Sequence, residues 1–574
     1  MLHRFKTLVL FILGFALPWH GAITVFGPDL ARFWKEALLG VLLITTILSL
    51  CYDIKTLSAA KLRERFLNRP VLLWGILFLS WGLVLVLLNQ DLHTALVAYR
   101  YLGLGVFALL LGLLMWKTTF QSVKNGHHFG LDFFHKFCTG LTFGVFTGTI
   151  FGLWAKFAGG HAVLAQWYSN TISSWVPGQT IPLYHQVGDF IRVQGASSGP
   201  VEYSHLAVLG LWYVLFFKSV SGLQRTEIRA FIGLFLITGI WQSGSRAALL
   251  GAFILLVAKL YFVTKPKWPS FNFKWTVDKA AAALLVVIVL TGMAKFTLSK
   301  AVLGDIELLN KNVVRISDID HLTRPIEAFK VALENPVTGV LGAFGPAARA
   351  KNLKENNIDY APIAESVPFD IAAQMGFVGL LLWLGFIGFV FLQSATWLRV
   401  LIVCFTPLML LATIFDMTPV SISFYLILGL GLGLPRVQEA TLKDHPSVFN
   451  LKRLAFKRYT QQVWPWVEAD QKNYVAQELA GGGIYLVQLE GAVVATFCLV
   501  PKADYTMVYS FYVHPEKQSL GLGAYLLNEV ITGAALHLQV LKVNSGAKAF
   551  YLSHGFKTTG EDKNHWYLQR LTSE

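Results

Sequence analysis

Runs of roughly twenty apolar residues recur from the N-terminus to about residue 435, and they decide the architecture. About twenty residues of helix cross a hydrocarbon core, and within a helix every backbone N–H and C=O of such a run finds a partner without water. Hydropathy places about twelve spans, near 6–25, 36–52, 70–89, 95–116, 136–158, 203–219, 227–242, 246–264, 278–296, 371–395, 398–415 and 420–435. Composition agrees: 55% of the 574 residues are hydrophobic and only 14% are charged, more apolar surface than a soluble chain of this length needs. The first run opens on a basic stretch, His3, Arg4 and Lys6. It lacks a small-residue cleavage pattern and further spans follow, so it reads as an uncleaved first helix.

Short-loop charges set the orientation. Lys55, Lys61, Arg63, Arg65 and Arg69, then Lys218, Arg225 and Arg229, then Lys265, Lys267, Lys274 and Lys279 all fall on one side if the N-terminus is cytoplasmic. The opposite loops near 90–94 and 416–419 carry no Lys or Arg, and 159–202 carries only Arg192. The long polar segments 159–202 and 297–370 are therefore expected outside, and an even span count returns the C-terminus to the cytoplasm. The net charge of +15 is scattered between spans. That points to loops facing anionic lipid and against a nucleic-acid partner. Cys51, Cys138, Cys404 and Cys498 do not pair within a polar loop, so neither a disulfide framework nor a zinc site is expected.

After Pro435 the character changes. Residues 436–448 read as a linker, and 449–574 as a soluble α/β domain long enough to bury its own core. Within it, Gln518-Ser519-Leu520-Gly521-Leu522-Gly523-Ala524 lies between a strand and a helix. Glycines there let backbone N–H groups approach a diphosphate closely, and a helix N-terminus favours its charge. Alone, this stretch is also what an ordinary turn looks like. It is followed, however, by V-x-x-x-N-x-x-A-x-x-F-Y-x-x-x-G-F over Val540–Phe556.

The ordered pair of motifs resembles the GNAT N-acetyltransferase family over essentially the whole domain. By that resemblance the backbone of Gln518 to Gly523, running into Ala524, cradles the acetyl-CoA pyrophosphate, and Asn544 faces the cofactor arm. Tyr551 protonates the leaving thiolate, a role that suits a phenol still protonated at neutral pH; its plainer reading is a core aromatic. Glu468, Asp470, His514 and an ordered water are all open as the general base. The acceptor is expected to be an amine on a sugar, peptide or protein.

The polar interval from about Lys300 to Asp370 is too long for a compact connection. It holds an amphipathic helix (Pro325–Leu333), a breaker (Asn335-Pro336), a glycine-rich turn region (Gly339, Gly342, Gly345) and Glu365 just before the next span. Arg192, Arg246 and Arg324 fall on the outward side, and Arg100 lies inside a span, where an ionisable side chain implies a function or a buried partner. Arginine suits a diphosphate because its planar fork binds oxygens in pairs and stays charged. The plainer readings are a solvated Arg192, an Arg246 reaching to the interface, and an Arg324 paired with Asp318, Asp320 or Glu327.

Three pieces recur together: R-x-x-G from Arg192, S-G-S-R-A-A-L-L-G-A from Ser243, and R-P-x-x-A-F-x-x-x-x-x-N-P-x-x-G from Arg324. Over roughly 190–395 they resemble the O-antigen ligase/polymerase family of membrane glycosyltransferases (GT-C class). Such enzymes take a glycan from undecaprenyl diphosphate on the outer face of the bacterial inner membrane. The resemblance implies that Arg192, Arg246 and Arg324, with Arg100 in support, hold the diphosphate. Where ligases carry a histidine as base this chain has Glu365, which favours a polymerase or related transferase over the lipid A core ligase; His321 is the rival base. No metal is expected at this site. The fold class expected is thus a polytopic α-helical membrane domain (1–435) plus a C-terminal α/β GNAT domain, in a bifunctional protein. A transporter or flippase with an attached acetyltransferase, or with a domain that merely senses acetyl-CoA, is the alternative.

Overall fold

The computed structural model describes residues 2–26, 33–56, 70–119, 131–159, 185–187, 190–217, 226–264, 316–358, 362–489, 492–518, 521–531 and 535–571. They fall into two compact units, Met1–Thr118 with Asp132–Leu432, and Thr119–Leu131 with Gly433–Glu574.

The first unit is helical. Among the described residues six helices are long and apolar enough to cross a membrane: Leu2–Thr24, Trp34–Cys51, Pro70–Leu88, Leu92–Met115, Asp132–Phe157 and Val367–Gln393. Helices also form at five further expected spans, Pro200–Phe216, Thr226–Ser243, Arg246–Thr264, Thr396–Leu411 and Thr418–Gly431. The remaining expected span, 278–296, lies outside the described residues. Helix Pro70–Leu88 turns Leu73, Ile76, Leu77, Leu83 and Leu87 outward, an arrangement suited to hydrocarbon and costly in water. A short hairpin of β1 (His185–Val187) and β2 (Phe190–Arg192) precedes Pro200–Phe216.

The long polar segment is more ordered than its sequence implies. Helix Ile316–Glu334 starts well before the expected Pro325, and Gly345–Asn356 forms a second helix. Between them the chain docks into a break in Val367–Gln393. Gly376 there is non-helical (φ 69°), which frees backbone groups on both sides of it. The Phe377 N–H donates to Pro336 O (2.8 Å), the Val340 N–H donates to Ala373 O (2.8 Å), and the Trp81 indole donates to Met375 O (2.9 Å). Gly339 (φ 61°) has no alternative at this contact, because a Cβ would sit 2.6 Å from Ala373 O and Gly376 N. The N-P-x-x-G motif is therefore the plug of a kinked helix.

The second unit is a seven-stranded sheet in the order β3-β4-β5-β6-β7-β9-β8. Its strands are β3 (Arg436–Glu439), β4 (Ile484–Leu489), β5 (Ala492–Pro501), β6 (Thr506–Val513), β7 (Ala535–Leu541), β8 (Lys557–Glu561) and β9 (His565–Leu571). Among the described residues only β6 and β7 pair in parallel; the other pairs of this sheet are antiparallel. Helices His445–Thr460 and Glu468–Gly481 close a core in which Val448, Phe449, Val475 and Leu479 meet Ile484, Leu486 and Cys498.

One expectation needs correction. Residues 436–439, assigned to the linker, are edge strand β3, paired along β4 from Arg436↔Gln488 to Glu439↔Tyr485; a four-residue edge strand has too little alternation to stand out in sequence. The two helices that follow are separated by Gln461–Val467, a break that holds Pro465.

Candidate functional site

In the second unit β6 and β7 pair only at Thr506↔Leu536 and Met507↔His537. Both strands continue, to Val513 and Leu541, and the sheet opens between them. A cavity of about 550 Å³ fills the gap, walled by residues 508–513 and 538–541. Gln518, Gly521, Gly523 and Ala524 line one side, and Asn544 and Tyr551 another. Leu522 turns into the core instead, and Ser519 and Leu520 lie outside the described residues.

Gly521, at φ 80°, caps the helical segment Leu522–Tyr525, which continues as a π turn, Leu526–Val530. A side chain at position 521 would be strained. The first N–H groups of a helix have no acceptor within it, so they suit an anion. The Gln518 side chain ties this loop to the end of β6 by donating to Val513 O (2.9 Å). Asn544 caps helix Ser545–Ser553, its Oδ1 accepting from the Ala547 N–H (3.1 Å). Only its amide nitrogen is left to meet a cofactor arm.

Tyr551 rides on that capped helix, 7% exposed, among Phe511, Phe550 and Phe556. Burial, and then the neighbouring Tyr512, push its phenol well above its ordinary value. It stays protonated at neutral pH, as a donor to a thiolate must be. The three candidate bases do not line the cavity. Glu468 is half exposed and 3.9 Å from Lys457, Asp470 is exposed, and His514 Nδ1 accepts from the Glu516 N–H (3.3 Å). The cavity wall holds Ser510 and Tyr512 instead, and the Ser510 hydroxyl donates to Glu478 (3.0 Å). Sequence reasoning missed these three residues; the one available signal was a lone serine inside the apolar strand MVYSFYV.

In the first unit the expected arginines fall into two groups. Arg192 ends β2, and its Nε donates to Ser243 O (2.6 Å) while the Val193 N–H donates to Gln242 O (2.9 Å). These contacts seat the R-x-x-G loop on the C-terminal carbonyls of helix Thr226–Ser243, where a cation is favoured. Ser243 and Ser245 then shape the turn: the Ser245 N–H donates to Ser243 Oγ (3.2 Å), and Ser245 Oγ accepts from the Ala248 N–H (3.4 Å). Arg246 is the exposed first residue of the next helix, three positions from Arg192's carbonyl partner. The same loop is pinned further along, with Ser197 Oγ donating to Pro18 O (3.0 Å) and the Ala22 N–H donating to Ala196 O (3.0 Å).

The second group gathers where Val367–Gln393 begins. Arg324 Nη1 lies 3.1 Å from Glu365 Oε1, and the side chains of Asp318 and Asp320 lie outside the described residues. Glu365 has a left-handed backbone (φ 53°), a conformation that non-glycine residues tend to hold at functional or strained sites. Asp416, in the link between Thr396–Leu411 and Thr418–Gly431, lies within electrostatic reach of Glu365 and accepts from Thr413 Oγ1 (3.0 Å). Burial, opposed by the Thr413 bond and helped by the Glu365 charge, pushes its carboxyl up to about 7. Asp370 lies beside Asp416; its Oδ1 accepts from Gln374 Nε2 (2.8 Å), and Gln374 in turn accepts from the Gly342 N–H (3.1 Å).

Arg100 has the partner that its place in a span required, a half-buried carboxylate. It pairs with Glu36, which is also 3.7 Å from the buried Lys35, and its guanidinium lies over Tyr101 (5.1 Å). Lys35 is within electrostatic reach of Glu202, whose carboxylate accepts from the Ser198 N–H (3.1 Å), so this ion pair touches the loop that follows Arg192. The side chain of His321 lies outside the described residues.

Residues 231–384 match the family model described as O-antigen ligase, and residues 480–558 match the acetyltransferase (GNAT) domain model. The first match takes in Arg246, Arg324 and Glu365, and the second Gln518 to Ala524, Asn544 and Tyr551. Solved structures similar to the chain include a PaiA N-acetyltransferase from Thermoplasma acidophilum in complex with coenzyme A, 16% identical, with a TM-score of 0.22 over 24% of this chain and 99% of that one. Another is the ribosomal-protein-S18-alanine N-acetyltransferase of Escherichia coli, 20% identical, with a TM-score of 0.21 over 25% of this chain and 96% of that one. No curated protein matches the chain. The chain thus joins helices long and apolar enough to cross a membrane to two regions that match enzyme-domain models, O-antigen ligase within the helical unit and GNAT acetyltransferase at the C-terminus.

Proposed function

We propose that the chain is a bifunctional enzyme of the bacterial inner membrane. Its outer site transfers a glycan from undecaprenyl diphosphate, as an O-antigen or polysaccharide polymerase or ligase does. Its C-terminal domain, on the cytoplasmic side with the N-terminus, transfers acetyl from acetyl-CoA to an amine. The observation that carries the reading is the opening between β6 and β7, whose wall holds Gly521, Gly523, Asn544 and Tyr551 together.

In the acetyl transfer the amine nitrogen attacks the thioester carbonyl. A C–N bond forms, the C–S bond breaks, and the departing sulfur takes the Tyr551 phenol proton. Gly521 and the helix start behind it carry the pyrophosphate. In the glycan transfer Arg192, Arg246 and Arg324 bear the charge that develops on the diphosphate as it leaves. Glu365 takes the proton of the attacking sugar hydroxyl, with Arg324 Nη1 3.1 Å away. Arg100, tied to Glu36, supports the site from within the membrane. Joining both activities on one chain fits acetylation of an amino sugar destined for the same glycan.

The test is acetyl-CoA-dependent thiol release by the purified full chain, beside elongation of a lipid-linked glycan in membranes carrying it. Thiol release with any amine and chain growth lost on Arg246→Ala support the reading. Lipid-linked precursor trapped on the cytoplasmic side in the Arg246→Ala strain would favour transport instead.

A further inference from the structure

Ser510 is out of place in its strand. It interrupts an apolar run, and its φ of 48° is left-handed although it is not glycine. Opposite it the β5–β6 register shifts between Thr496 and Cys498, so the ladder carries a bulge. Bulges re-aim side chains and cluster next to active sites, and backbone strain persists where surrounding contacts hold it. Here Thr496 Oγ1 holds the bulge by donating to Ser510 O (3.2 Å). The result is a row of polar groups under the acyl cavity. The Ser510 hydroxyl donates to Glu478 Oε1 (3.0 Å). Tyr512 lies two residues along β6 from Ser510, within electrostatic reach of Tyr551. Ser510 and Tyr512 line the cavity, whereas Glu478 stands behind them on helix Glu468–Gly481.

Behind Glu478, in turn, lies Lys452 of helix His445–Thr460, only 7% exposed and within electrostatic reach of the carboxylate. Cys498 of β5 and Tyr512 of β6 complete its titratable surroundings.

We infer that Glu478, acting through the Ser510 hydroxyl, is the proton acceptor for the amine in acetyl transfer. This rests on the acetyltransferase reading of the same cavity. The ammonium passes a proton to the Ser510 oxygen as Ser510 passes its own to Glu478. The neutral amine then attacks the thioester carbonyl carbon, forming the C–N bond. The C–S bond breaks, and the sulfur leaves with its electron pair and takes the proton of Tyr551. The surplus proton on the new amide nitrogen returns to the Tyr551 phenolate. One proton remains on Glu478, to be lost to solvent before the next turn. Ser510 is the group that meets the substrate; Glu478 positions and drives it.

The distinguishing property is the substrate's own protonation. A base is needed for an amine that arrives as an ammonium and not for one that arrives neutral. The full chain in detergent is assayed for thiol release from acetyl-CoA at pH 7 with D-glucosamine, spermidine and an alanine-terminated peptide, all substantially protonated, and with hydroxylamine, which is largely neutral. Glu478→Gln and Ser510→Ala should each lower turnover of whichever protonated amine the wild type uses by about 100-fold. Both should leave hydroxylamine turnover and coenzyme A affinity near wild type, and the Glu478→Gln deficit should narrow as pH rises. Equal losses with hydroxylamine, or unchanged turnover of the protonated amine, would overturn the relay and leave the acetyltransferase reading standing. A wild-type chain that releases no thiol with any of these amines contradicts that reading, and the relay with it.

Discussion

The two units treat their charged and catalytic groups in opposite ways. In the C-terminal unit the ligand-facing residues come from two short stretches, Gln518–Ala524 and Asn544–Tyr551, and the fold leaves an open cavity between them. In the membrane unit the candidate groups come from separate helices and loops, 41 to 64 residues apart in each pair, and they meet one another: Arg324 with Glu365, Arg100 with Glu36, and Arg192 with the Ser243 carbonyl. The difference follows from the solvent. A soluble domain can leave a polar cleft to water, whereas charges near a hydrocarbon core need partners from the chain itself. An acceptor side chain in the first case reads as a site from local sequence; in the second it reads as an isolated charge until the structure supplies its partner.

Perturbing one unit should leave the other's chemistry alone, and each substitution sharpens or breaks that contrast. Arg324→Ala removes the partner of Glu365 and, on the proposed reading, a diphosphate contact. Glycan elongation in membranes should fall about 1,000-fold, with acetyl-CoA turnover unchanged. Tyr551→Phe removes one proton donor from the cavity. It should lower kcat for acetyl transfer about 100-fold, with coenzyme A affinity intact by calorimetry and glycan chain length unaltered. Gly521→Ala strains a backbone at φ 80°. It should cost about 1 kcal/mol, read as a several-fold weaker coenzyme A affinity.

Asp416 offers a smaller and more specific test. Its carboxyl sits up at about 7, so the folded chain holds the proton more tightly than the unfolded one. The stability this gives is fully present below the unfolded value, near 3.9, and is lost as pH rises through 7. The wild-type melting temperature in detergent should therefore fall between pH 5 and pH 8 by more than that of Asp416→Asn, which does not titrate. Equal slopes would remove Asp416 from the polar cluster.

What could be read in advance depended on range. Gly521 and Gly523 sit within one strand–loop–helix unit and Asn544 and Tyr551 within another, so each pair was legible from local spacing. The N-P-x-x-G stretch was legible as a breaker and turn, but its role as a plug needed Gly376, which lies in a span that reads as continuous helix. Arg100 announced a partner without naming it, because Glu36 is distant in sequence. Glu478 and Ser510 were invisible for a related reason: a bulge shifts the alternation of β6, and no spacing rule links a strand bulge to the far face of a preceding helix. Strand β3 was too short to carry a period.

Two separable sites predict a simple double dissociation. One preparation of the full chain in lipid vesicles, assayed for both thiol release from acetyl-CoA and elongation of a lipid-linked glycan, should lose only the first with Tyr551→Phe and only the second with Arg246→Ala. Loss of both activities with either substitution, or of neither with both, would contradict it.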